Sequence, residues 1–187
     1  MIALESIQRF KLKDIMIIVG AAAVFAGAQL AFPYLKASWG YYALLLAFAL
    51  TVSLSTMVVR KAGTATLIST LSALFSFSNG IFIATGWNKV VTFGVAGLLF
   101  EFLFLMLKLE IHYLPLDILL GTALSTASIP LSTLFLLSTE MAATNGRAVM
   151  NILLLSFCVG LIGAVIAFLI WFQVKHSKAV LQYEYAG

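Results

Sequence analysis

Glu101 is the side chain in this sequence with the clearest capacity for chemistry. It is the one carboxylate in an apolar run, Val90–Leu107, long enough to cross a bilayer. A charge in hydrocarbon costs roughly 2.5–3.5 kcal/mol on insertion scales, so an intramembrane acid is normally paired, protonated or turned toward a polar cavity. Two roles are open to Glu101: contact with a ligand, or a structural hydrogen bond to a neighbouring helix. Asn79 and Ser69 join it as candidates, in a preceding segment rich in small hydroxyls (Thr64, Thr66, Thr70, Ser72, Ser76). A second hydroxyl-rich segment surrounds Pro130, with Thr122, Ser125, Thr126 and Ser128. Such residues let helices approach and hydrogen-bond across, at roughly 0.6–2 kcal/mol per contact, and they also suit the lining of a polar pocket. Trp39 and Trp87 sit beside connections, near Tyr34, Tyr41 and Tyr42. Aromatics there serve as headgroup anchors; these two are also placed to close over a flat ring, with the stretch Pro33–Trp39 as a lid.

The elements that position these residues follow from composition. The chain has 187 residues, of which 63% are hydrophobic and 10% charged. That much apolar surface exceeds what one soluble core of this size can bury, so the expected class is an all-α integral membrane protein. Runs of about 20 apolar residues match the roughly 30 Å of hydrocarbon. Six are read: Ile15–Phe32, Gly40–Val59, Thr64–Thr85, Val90–Leu107, Leu116–Ser138 and Ala148–Phe172. They are continuously apolar and lack the alternation of a barrel strand. Together they form one domain over residues 1–187, with an amphipathic segment at 1–14 and a tail at 173–187. Placing both termini in the cytoplasm gathers Arg9, Lys11, Lys13, Arg60, Lys61, Lys108, Lys175 and Lys178 inside. It leaves Lys36, Lys89 and Arg147 outside, which satisfies the positive-inside rule. The first apolar run lacks a cleavage site and reads as a retained span.

Several function classes drop out. The net charge of +4 is too small and dispersed to argue for nucleic acid. No phosphate-binding loop ending in Lys-Ser/Thr is present. His112 falls in a turn and His176 beyond the last span, so neither belongs to a converging ligand set, and no metal or cofactor is expected. No second acid or histidine shares the segment of Glu101, and an enzyme is not expected. Cys158 lies inside an apolar run and gives no disulfide.

The first span carries a ridge of small residues four apart, Ala22 with Ala26 and Ala23 with Gly27, suited to close helix packing. Gly160 and Ala164 make a similar ridge in the sixth. Six short-looped spans, this ridge and the segment after it resemble the S components of energy-coupling factor transporters, the substrate-binding membrane subunits of vitamin importers. Arg60-Lys61-Ala62-Gly63, continuing to Ala73-Leu74, is similar to the hydroxymethylpyrimidine/thiamine type. So is Gly97-Leu98-x-x-Glu101-x-x-Phe104-Leu105, which sets Glu101 on that type's acid. The resemblance implies a high-affinity receptor in the plasma membrane for a small vitamin or vitamin precursor. It makes Glu101 a substrate contact, beside Asn79, Trp39, Trp87 and Ser69, which the residues themselves offer as the rest of a binding site. It also implies partners, namely a transmembrane coupling protein, met through Ala22 and Ala26, and cytosolic ATPases. The likeness stops at two positions: Ser69 stands where that type has an acid, and Ser156 where it has a basic residue. The alternative is a non-catalytic scaffold subunit of a larger membrane complex, in which Glu101 bonds a partner helix.

Overall fold

The computed structural model describes residues 9–31, 34, 37–78, 85–107, 110–111, 114–137 and 146–175. Within them lie α1 (Leu12–Ala31), α2 (Ala37–Val59), α3 (Thr64–Phe75) and α4 (Gly86–Leu107). A two-residue hairpin, β1 (Glu110–Ile111) and β2 (Leu114–Pro115), leads to α5 (Leu116–Leu137) and α6 (Gly146–Val174). Five of these six helices are long and apolar enough to cross a membrane. The protein is an all-α, multi-pass membrane protein.

The expected spans are recovered with two changes. The third, read as Thr64–Thr85, is helical among the described residues over the 12 residues Thr64–Phe75, about 18 Å at 1.5 Å per residue. It stops because Ser76 leaves helical geometry (φ −110°, ψ 28°), and the turn closes with Phe77 N–H donating to Leu74 O at 3.2 Å. The sixth is longer than expected, 29 residues through Val174, so part of the expected tail is helix. The hairpin between α4 and α5, registered Glu110↔Pro115 and Ile111↔Leu114, has no counterpart in the sequence reading. His112, His176 and Asn79 lie outside the described residues.

Helix α2 packs against α1, α3, α5 and α6, and α3 lies between α1 and α4. The core joint is a cluster of three rings from three helices. Phe25 of α1 meets Phe48 of α2 at 5.4 Å between centroids and Phe93 of α4 at 5.5 Å. Phe48 and Phe93 are 5.9 Å apart, in tilted or edge-on geometries that the ring quadrupole favours. Elsewhere the helices are drawn together through small residues. A Cβ on Gly160 would lie 2.7 Å from Cβ of Thr126, and one on Gly163 2.6 Å from Cβ of Ala49. Gly160 of the α6 ridge is therefore covered by α5 and the adjacent Gly163 by α2 of the same chain.

The hydroxyls of α3 and α5 mostly bond within their own helices. Ser69 Oγ donates to Ala65 O at 2.6 Å, Thr126 Oγ1 to Thr122 O at 2.6 Å, and Thr133 Oγ1 to Ile129 O at 2.8 Å. Fewer cross between helices: Ser53 with Thr122 at 2.7 Å, and Ser125 Oγ to Ala96 O at 2.6 Å. In hydrocarbon each hydroxyl must find an acceptor, and a preceding carbonyl is the nearest one.

Candidate functional site

Helix α3 explains the position of Glu101. Its N-cap is Gly63, held at φ 94° and without a capping side chain, while Thr64 Oγ1 donates away to Lys61 O at 2.7 Å. The first N–H groups of a helix have no intrahelical acceptor, and in a bilayer no water substitutes. Glu101 supplies the acceptor from α4: its Oε1 takes the Ala65 N–H at 2.7 Å. The carboxylate also faces the backbone of Gly63 and Thr66. A negative group here meets the positive end of the α3 dipole. The approach depends on Gly97, one turn earlier on α4, where a Cβ would stand 2.7 Å from Cα of Thr66.

Ser69 converges on the same residue, its Oγ donating to Ala65 O while Glu101 accepts from Ala65 N–H. Ser69 and Glu101 thus both bond Ala65, and both are buried, with Glu101 only 7% exposed. The other carboxylate oxygen, Oε2, is buried without a hydrogen-bond partner among the described residues, as is Oγ1 of Thr66. A buried acceptor left in this state costs about 1–3 kcal/mol, which a bound proton, water or hydrogen-bond donor would relieve.

The tryptophans are elsewhere. Trp39 begins α2 and Trp87 begins α4, and both are largely exposed, at 73% and 70%. Trp87 packs edge-on against Phe77 at 5.5 Å. Fourteen residues of α4 separate it from Glu101, about 21 Å along the axis. One compact pocket holding Glu101 and both tryptophans is therefore not formed; Trp87, against Phe77, belongs to the opposite end of α3. The small-residue ridge of α1 is divided as well. Ala22 and Ala26 are buried inside the chain's own bundle, whereas Ala23 and Gly27 are exposed, and a Cβ on Gly27 would meet nothing within 4 Å.

No known protein-family model, curated protein or solved structure matches this chain.

Two polar groupings have no counterpart in the sequence reading. At the C-terminal end of α3, Lys89 is 0% exposed; its Nζ donates to Ser76 O at 2.7 Å and Ser76 Oγ at 2.6 Å. Gln29 of α1 joins this node, accepting from Ser76 Oγ and donating to Ser72 Oγ at 3.4 Å. At the other end, Lys61 pairs with Asp14 at 2.6 Å and donates to Arg9 O at 2.9 Å. Lys61 and Lys89 both stand at breaks between apolar runs, and the sequence places them only by the side of the membrane they mark. A lysine in the first turn of an apolar helix, where its own helix dipole disfavours it, was the available signal for Lys89. Among the described residues no group of acids, histidines and cysteines is arranged to hold a metal ion.

Proposed function

We propose that this protein is the substrate-binding membrane subunit of an importer of the energy-coupling factor type. Its ligand would be a small vitamin or vitamin precursor carrying a hydrogen-bond donor. The observation that carries the reading is Glu101 itself, buried, fixed through Oε1, with Oε2 lacking a partner among the described residues. An acceptor pre-oriented in a low-dielectric site contributes most to specificity, because a ligand without the matching donor leaves it unpaired. The motif that includes Gly97 and Glu101 supports the same family, and Gly97 is what allows α4 to bring its acid to α3. In this reading the protein sits in the plasma membrane. It works with a transmembrane coupling protein and cytosolic ATPases, since it carries no phosphate-binding loop.

The test is mass spectrometry of small molecules released on denaturation after purification in mild detergent. A stoichiometric compound, lost in Glu101→Ala and weakened in Glu101→Gln, is the expected result. A blank from cells grown in rich medium would overturn the receptor reading.

The second reading, a non-catalytic scaffold subunit, is favoured by the Ala65 N–H bond, which already gives Glu101 a structural task. It predicts that Glu101→Ala leaves no ligand to lose and instead reduces the partners that co-purify.

A further inference from the structure

The segment before α1 is fastened to the link between α2 and α3, and the fastening leaves two guanidinium groups outside. Lys61 Nζ binds Arg9 O at 2.9 Å and Asp14 at 2.6 Å. The ring of Phe10 lies 3.5 Å from where a Cβ on Gly63 would stand. Arg60 takes a left-handed conformation (φ 50°) and its Nε donates to Met57 O at 3.3 Å, over the end of α2. Arg9 and Arg60 therefore flank one anchored corner, and both are exposed. The acidic side chains described nearby, Asp14 and Glu101, are buried and turned to Lys61 and Ala65. Immediately along α1 from this corner runs an exposed apolar face of Leu12, Ile15, Met16 and Val19.

We propose that this corner binds the headgroup of an anionic phospholipid, with Arg9 and Arg60 on the phosphate and the acyl chains along the outer face of α1. Guanidinium groups match phosphate oxygens in a bidentate manner. The apolar face beneath them selects an amphiphile over a soluble anion, because only a lipid covers both surfaces at once. Basic side chains at a membrane surface contribute about fivefold each to anionic-lipid binding.

The experiment is native mass spectrometry of the detergent-purified protein titrated with phosphatidylglycerol or phosphatidylcholine. Phosphatidylglycerol should be retained in preference. The double variant Arg9→Gln/Arg60→Gln should lose that preference by about 25-fold, while Arg9→Lys/Arg60→Lys, which keeps the charge, should retain most of it. Arg147→Gln, an exposed arginine at the other end of the bundle, should behave as the unaltered protein. Equal retention of the two lipids overturns the proposal. So does an equal loss in Arg147→Gln, which would mean diffuse attraction. Displacement of phosphatidylglycerol by millimolar inorganic phosphate would also overturn it, in favour of a soluble-anion site.

Discussion

Glu101 and Lys89 stand twelve positions apart on α4 and grip opposite ends of α3, which is 12 residues long. The spacing and the helix length are both about 18 Å. The acid meets the N-terminal N–H groups at Ala65, and the amine meets the C-terminal carbonyl at Ser76. An acceptor at the N-terminal end and an amine at the C-terminal end are the group types that the α3 dipole favours there. A short helix too brief to cross the bilayer is thereby held at both ends by its neighbour.

Removing either grip should loosen α3 selectively. Glu101→Ala is expected to destabilise by about 1–3 kcal/mol, the range for leaving a buried donor unsatisfied. Glu101→Gln should cost less, since its carbonyl still accepts from Ala65. Lys89→Met should expose amides near Ser76. Hydrogen exchange read by mass spectrometry is the check, with faster exchange confined to α3 and its flanks. Uniform acceleration across all helices would contradict the two-ended clamp.

Gly97→Ala should be damaging although alanine is the better helix former. Its methyl would meet Cα of Thr66 at 2.7 Å and Ala65 O at 3.1 Å, and overpacking of this kind costs typically 1–3 kcal/mol. Gly27→Ala is the control. Nothing lies within 4 Å of its added methyl, so stability should hold or rise by up to about 1 kcal/mol from helix propensity. Thermal unfolding of the two variants in one detergent separates them.

Asp14 and Lys61 form a buried ion pair at 2.6 Å. Asp14→Asn or Lys61→Met alone leaves the opposite charge buried, which destabilises by about 3–5 kcal/mol. The double variant Asp14→Leu/Lys61→Met should recover much of the loss, because both desolvated charges are gone. If the double variant melts as low as the worse single one, the pair is not what joins these segments.

The hydroxyl contact of Ser53 with Thr122, at 2.7 Å, should matter little. Intramembrane hydrogen bonds average about 0.6 kcal/mol in double-mutant cycles, and Thr122 Oγ1 keeps Ile118 O as an acceptor at 2.7 Å. A Ser53→Ala/Thr122→Ala cycle in detergent should give a coupling below about 1 kcal/mol. A larger value would mark α2–α5 as a polar joint.

The sequence by itself determined that this is a membrane bundle and where most of its helices lie. Continuous apolar runs have one outcome in hydrocarbon, because a helix alone satisfies every backbone group within its own segment. It also singled out Glu101, since one carboxylate in such a run cannot be neutral to stability. The tertiary structure decided what Glu101 touches. Its acceptor role at Ala65, the short length of α3 and the burial of Lys89 each depend on which helices adjoin, and nothing within one span encodes that. For the same reason Trp87, legible as an aromatic near a connection, falls at the end of α3 opposite Glu101. Ala22 and Ala26 read as an outward ridge until α1 is rotated against its neighbours. Spacing along one helix fixes which residues share a face, but only packing decides whether that face meets lipid or protein.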